Sequence, residues 1–266
     1  MSTTFTELPI AGLKSPVAVA YNPNDEHLYW TDAEAGIISR YGFSSGESTV
    51  LVTDLGTPDG LAIDWVSSNM YWTDAGRRLI EVSKLDGSDR KALITAGLQE
   101  PRAIVVQPSI GLMFWTDWEK PSVERAAMDG TDRRFIVSTD LVRPNGLATD
   151  LTNSRIYWTD AYLDKIEEAN LDGHERRIVY VGHPFDIVLD GTSLYWSDWW
   201  TKTISKGSTS GLVQPTTFGG GGLKKPMGIA IRRAGQQTES GLCTQNNGGC
   251  SNLCLPTPSG RTCDCP

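Results

Sequence analysis

Apolar and polar residues alternate along this chain in short bursts, at the spacing of a half-buried β-strand rather than of a helix. The stretch from 58 to 94 shows the unit. Pro58-Asp59-Gly60 turns into Leu61-Ala62-Ile63-Asp64, an alternating inner strand. Met70-Tyr71-Trp72-Thr73 follows the turn at Ser67-Ser68 and is rich in residues that suit a pleated surface. Leu79-Ile80-Glu81-Val82 predicts a third strand, and Lys91-Ala92-Leu93-Ile94 an outer fourth. Between them Leu85-Asp86-Gly87 is a hairpin turn, where glycine supplies a positive φ that most residues resist.

This four-strand unit recurs. Its second strand ends in an aromatic-Trp-Thr/Ser-Asp tetrad: Tyr29-Trp30-Thr31-Asp32, Tyr71-Trp72-Thr73-Asp74, Phe114-Trp115-Thr116-Asp117, Tyr157-Trp158-Thr159-Asp160 and Tyr195-Trp196-Ser197-Asp198. The steps between copies are 42, 43, 43 and 38 residues. Strand content at that period predicts propeller blades. Neighbouring residues of a strand point to opposite faces, so the Tyr (or Phe) and the Trp of a tetrad are expected to fill the wedges on opposite sides of one blade. The Asp is expected to accept N–H groups of the turn, with Thr supporting it. Five similarly placed Asp residues argue against catalysis, which needs one differentiated site.

Inner strands open at Pro16, Pro58, Pro101, Pro144, Pro184 and Pro226, one more than the tetrads. Proline suits a strand entrance, where no ladder N–H is required. The sixth, from Met227 to Ile231, runs into Arg232-Arg233, and Phe5 to Ile10 looks like a fourth strand without the three before it. The ends are therefore expected to share one blade. Two arrangements stay open: six blades with one thin, or five full blades with extra edge strands, whose exposed edge would promote dimerisation or poor solubility. Residues 219–222, four glycines, read as a surface loop.

The formal charge of −8 argues against a nucleic-acid partner and suits a basic ligand patch. No run of about 18 apolar residues predicts a membrane span, and Met1-Ser2-Thr3-Thr4 lacks the features of a secretory signal. Yet all five cysteines, Cys243, Cys250, Cys254, Cys263 and Cys265, crowd the last 24 residues, which points to an oxidising compartment. The chain is expected to be a piece of a larger secreted or cell-surface protein. No Asn-x-Ser/Thr sequon occurs. A zinc site is the competing use of the cysteines, but paired C-x2-C units are missing.

The cysteine spacing, with Asn247-Gly248-Gly249 before Cys250, resembles an epidermal-growth-factor-like domain. The resemblance implies that Cys243 pairs with Cys254 and Cys250 with Cys263, Cys265 being left for a partner beyond Pro266. Calcium-binding members carry an acidic cluster before the first cysteine, and Thr238-Glu239-Ser240-Gly241 offers one acid, so no metal or cofactor is expected. Together with the tetrads and with Asp59-Gly60-Leu61-Ala62, Pro101-Arg102-Ala103-Ile104, Trp115-Thr116-Asp117-Trp118 and His183-Pro184-Phe185, the chain resembles the low-density lipoprotein receptor and its related receptors. That resemblance implies an all-β, six-bladed propeller (residues 1–236), one blade incomplete, and a truncated module (237–266). It further implies the ectodomain of a single-pass receptor that endocytoses protein ligands or serves as a co-receptor in Wnt or agrin signalling.

In the Wnt co-receptor branch the propeller end reads extended peptides with an Asn and an apolar anchor. The matching positions are Asp59, Arg102, Trp118, Asn145 and His183, although Asp59 and Asn145 also fit plain turn chemistry before glycine. Trp118 and Trp199, each just past a tetrad Asp, read as interface anchors. Two departures stand out. Gly36, Gly76 and Arg77-Arg78 lie where that branch has acids, and Arg143 replaces an aromatic, which argues against Wnt-antagonist recognition and leaves endocytic or agrin-type roles open. His183 is the histidine expected at a ligand-facing loop, where it would sense endosomal pH. Two other readings remain: a nidogen-like matrix scaffold that binds laminin, and a gluconolactonase-type hydrolase that recruits Asp59, Asn145 and Asp186 to a metal.

Overall fold

The computed structural model describes residues 6–219, 223–232 and 240–265. Five antiparallel four-stranded sheets follow one another in chain order, each paired as a simple meander. Blade 1 comprises β1 (Pro16–Asn22), β2 (His27–Asp32), β3 (Ile37–Gly42) and β4 (Ser48–Val52). Blade 2 comprises β5 (Pro58–Asp64), β6 (Asn69–Asp74), β7 (Leu79–Lys84) and β8 (Lys91–Ile94). Blade 3 runs through β9 (Pro101–Gln107), β10 (Leu112–Asp117), β11 (Ser122–Ala127) and β12 (Arg134–Val137). Blade 4 holds β13 (Pro144–Asp150), β14 (Arg155–Asp160), β15 (Lys165–Asn170) and β16 (Arg177–Val181), and blade 5 holds β17 (Pro184–Asp190), β18 (Ser193–Asp198), β19 (Thr203–Ser208) and β20 (Thr216–Phe218). The inner strands β1, β5, β9, β13 and β17 each touch the next around a central channel.

The tetrads build the wedges as their alternation predicts. Tyr29 of blade 1 packs in one cluster with Trp72 of blade 2, and Tyr71 likewise with Trp115, Phe114 with Trp158, and Tyr157 with Trp196. Seven of these eight rings are no more than 2 % exposed. Each ring withdraws roughly 150–250 Å2 from water, an upper limit of about 4–6 kcal/mol apiece.

The polar half of the tetrad divides its labour differently from expectation. The Asp caps its own turns: Asp74 accepts from Gly56 N (2.7 Å), Thr57 N (2.8 Å) and Arg77 N (3.0 Å). For Asp32, burial works against the carboxylate, but N–H groups of Lys14, Ala35, Ser15 and Glu34 more than offset it and hold its pKa below the ordinary carboxylate value. The hydroxyl does not support the Asp. It reaches the next blade, as Thr31 Oγ1 donates to Asp59 O (2.7 Å), Thr73 to Arg102 O (2.5 Å), Thr116 to Asn145 O (2.7 Å) and Thr159 to Phe185 O (2.7 Å). These carbonyls lie within the bulge at each inner strand's entrance, where the ladder to the second strand is interrupted. The inner strands come so close there that a Cβ on Gly146 would lie 2.6 Å from Asp186 Cα.

A second clasp escaped the sequence reading. Three residues past each hairpin glycine stands an arginine: Arg90, Arg133 and Arg176. Each pairs with a buried glutamate of its own third strand, as Arg133 does with Glu124 at 2.7 Å, and lies 5.3–5.5 Å from its own tetrad Trp. Each also donates to a carbonyl of the preceding blade.

The two expected edge strands do not form. Residues 6–10 and 226–231 carry no strand, and Phe5 and Arg233 lie outside the described residues. Among the described residues neither segment has a second or third strand to pair with, and without a ladder an extended segment is not a strand. Segment 226–231 nevertheless occupies an inner position between β17 and β1. Ser197 Oγ donates to Met227 O (2.6 Å), Gly228 N to Val17 O (2.7 Å) and Ile229 N to Asp186 Oδ2 (3.0 Å).

The cysteine-rich module forms the disulfides implied by the resemblance, Cys243–Cys254 and Cys250–Cys263, and Cys265 is exposed and unpaired. Its hairpin, β21 (Leu253–Thr257) and β22 (Gly260–Asp264), docks on the face opposite the tetrad Asp residues. Leu253 and Leu255 are 0 % exposed and enter the core between blades 2 and 3. Asn69 Nδ2 donates to Cys254 O (2.9 Å), Asn252 Nδ2 to Asp89 (2.9 Å) and Thr262 Oγ1 to Asp129 (2.7 Å), and Lys91 pairs with Asp264. The expected domain boundary at 236/237 and the acidic position Glu239 lie outside the described residues, as does most of the glycine run (220–222).

Candidate ligand face

The docked module sits beneath blades 2 and 3, at the end of the ring opposite the tetrad Asp residues. At the other end lie the inner-strand entrances and the turns after each tetrad, and most of the sequence-predicted residues meet there. Arg102, which follows Pro101 at a bulge, is the hub. Its guanidinium donates to Asp59 Oδ2 (2.5 Å), pairs with Glu100 (3.1 Å) and lies 3.7 Å from the centroid of Trp118. Arg143 approaches the same ring at 5.2 Å. Burial raises the pKa of Asp59, and Arg102 opposes that shift by charge and hydrogen bond. Asp59 and Asn145 are 5 % and 4 % exposed, and Asn145 Nδ2 donates to Phe185 O (2.8 Å). Both side chains therefore bridge to the following blade rather than cap the turn before glycine.

Trp118 and Trp199 lie outside the wedges, half-buried, each with an indole N–H that has no partner. Trp199 stacks on Phe185 at 3.9 Å, and the Lys225 ammonium lies 4.2 Å from its ring. Its neighbour Trp200, 79 % exposed, lies 5.6 Å from His183, whose Nδ1 is 2.8 Å from Asp164. Pro184, Phe185, Trp199, Trp200, His183 and Asp164 line a groove of about 220 Å3. Sequence reasoning had not placed Trp200 or Lys225 at the site; the Trp199-Trp200 doublet was the available signal. Cations stacked on indoles and an open aromatic groove suit an extended chain carrying carbonyls and an apolar anchor.

The channel below contains a cavity of about 110 Å3 lined by Asp59, Gly60, Asn145, Gly146, Asp186 and Gly228 among others. Burial, together with the charge of Asp59, pushes the Asp186 pKa up to about 6 against the N–H groups of Ile229 and Ile187. Among the described residues no three His, Cys, Asp or Glu side chains are grouped to hold a metal ion.

Four segments of the chain, 26–65, 68–108, 111–151 and 154–190, match the family described as low-density lipoprotein receptor repeat class B. The chain is 44% identical to low-density lipoprotein receptor-related protein 5 of Mus musculus over 267 residues, 96% of this chain and 16% of that protein. The Homo sapiens protein of the same name is also 44% identical, over 97% of this chain and 16% of its own length. Among solved structures, a chain of a nidogen/laminin complex superposes with a TM-score of 0.78 at 33% identity, covering 82% of this chain and 85% of that one. A gluconolactonase from Xanthomonas campestris reaches 0.66 at 21% identity, covering 77% of each chain, a likeness of fold alone.

Proposed function

Since the chain belongs to the low-density lipoprotein receptor class B repeat family, we propose that it is an extracellular protein-binding unit, without catalysis, of a receptor-related protein. Its parent would be a single-pass cell-surface receptor that takes up ligands or acts as a co-receptor in Wnt- or agrin-type signalling. The ligand would sit on the face away from the module and engage Trp118, Trp199, Arg102, Arg143 and His183. One observation carries this reading: two tryptophans outside the blade wedges stand under cations on the face that the module leaves open. The two disulfides support an oxidising location. The ring would count six positions, the sixth being segment 226–231, because Ser197 clips Met227 as the other tetrad hydroxyls clip the following blades. The propeller would end at 236 and the module begin at 237.

A matrix-scaffold reading is favoured by the likeness to the nidogen chain, and the two readings share one face. Surface plasmon resonance against laminin and against a peptide carrying an Asn and an apolar anchor tests both. A hot-spot aromatic is worth 2 kcal/mol or more, so Trp118→Ala and Trp199→Ala should each weaken the ligand about 30-fold or more, with the circular dichroism spectrum unchanged. Unaltered binding in the double variant defeats the site. Lactone turnover with a divalent metal would instead favour the hydrolase reading.

A further inference from the structure

The residue two past each entrance proline lines the waist of the channel. In chain order these are Ala18, Gly60, Ala103, Gly146, Asp186 and Gly228. Five are as small as residues come, because the inner strands crowd together there. The sixth is a carboxylate, so one side chain with a charge enters an otherwise neutral waist.

Asp186 is poorly satisfied for an ionised group. A carboxylate offers about four acceptor sites. Oδ1 accepts from Ile187 N (2.9 Å) and Oδ2 from Ile229 N (3.0 Å). Among the described residues no Lys, Arg or His pairs with it, whereas Asp59, the other acid in the cavity, is already neutralised by Arg102. Removal from water and the nearby Asp59 both disfavour its charge. A half-buried carboxylate with so few donors is stabilised by one arriving cation. The cavity that faces it, about 110 Å3, has alkyl and aromatic walls from Val17, Leu61, Ile104, Phe185 and Ile187. Such walls suit a hydrocarbon stem carrying a compact head, and suit poorly a calcium or magnesium ion, which takes six or more oxygen ligands.

We propose that Asp186 makes the channel waist a receptor for a lysine side chain, inserted by the protein ligand from the open face. The inference rests on the ligand-face reading and specifies its chemistry. The alkyl stem passes Phe185 and Val17, and the ammonium donates to the free lone pairs of Asp186. Selectivity for lysine over an uncharged side chain of equal length follows from one charge-assisted hydrogen bond to a carboxylate that has no other cation.

The test uses fluorescence polarisation with three heptapeptides that differ only at the central position (lysine, norleucine or asparagine) and carry an isoleucine two residues later. The lysine peptide should bind at least ten-fold tighter than the norleucine peptide. Asp186→Asn, which keeps an oxygen to accept from Ile229 N, should bring the two within two-fold while leaving norleucine binding unchanged. In the unsubstituted protein the preference should fade as pH falls from 8 to 5, since Asp59, with its partner Arg102, is the one other ionisable group lining the cavity; this arm stands even if the variant fails to fold. Equal binding of lysine and norleucine peptides, or a preference that survives both Asp186→Asn and acid, overturns the proposal and leaves the ligand face intact. Should no peptide bind, the ligand-face reading fails. Titration with n-butylammonium then decides the waist alone. Amide shifts at Gly146 and Gly228 that vanish in Asp186→Asn support it, and their absence in the unsubstituted protein overturns it.

Discussion

Leu255→Ala probes whether the cysteine-rich module is part of the propeller's core or merely tethered to it. Leu255 is 0 % exposed and shares a cluster with Tyr71, Val82, Met113 and Met128 of blades 2 and 3. Truncating a buried leucine costs about 2–5 kcal/mol, the transfer loss plus the cavity left behind. Here the lost atoms lie between two blades and a disulfide-bonded hairpin, none of which can collapse freely, so about 3 kcal/mol is expected. For a chain of this size each kcal/mol moves Tm by roughly 2–4 °C, which predicts a fall of about 6–12 °C. Differential scanning calorimetry should show one transition before and after the substitution. Leu242→Ala, at a module leucine 65 % exposed, serves as the control and should shift Tm by little. Two separable transitions, with the larger unmoved by Leu255→Ala, would refute the docking. The docking matters for function because it leaves the face that bears the tetrad Asp residues free of the module.

Arg133→Met leaves Glu124, 0 % exposed, as a buried unpaired charge and should cost about 3–5 kcal/mol in urea unfolding, with Glu124→Gln in the same chain restoring much of it; no recovery would show that the loss was one of stacking on Trp115. For Asp186, the folded state holds its proton up to about pH 6, above the ordinary carboxylate value. Stability relative to Asp186→Asn is therefore greatest below that ordinary value, falls as pH rises through about 6 and is flat above it, by at most about 3 kcal/mol; a pH-independent difference in urea midpoints contradicts this. His183→Ala, which removes the partner of Asp164 beside Trp200, should reduce any acid-induced loss of ligand binding; an unchanged pH dependence takes the histidine out of the site.

What the sequence determined on its own is what repeats. The period of the tetrads, the alternation within each strand and the proline at each entrance specified five four-stranded blades and the opposite-facing Tyr and Trp, because these follow from local geometry applied five times. The disulfide pairing came with the resemblance of the cysteine spacing. What only the tertiary structure decided is what happens between repeats. The tetrad hydroxyl turned out to clip the neighbouring blade, and Arg90, Arg133 and Arg176 to span from their own Glu and Trp to the blade before; both depend on the angle between sheets, which no single repeat encodes. Residues 226–231 keep the inner position but not the strand, since a ladder needs a partner and none stands beside the segment among the described residues. Of the candidate site, the positions of Trp118 and Trp199 were legible as aromatics in excess of the wedge requirement. Their convergence with Arg102, Lys225 and Trp200, and the unpaired charge of Asp186 at the waist, arise only when strands far apart in the chain are brought round one channel.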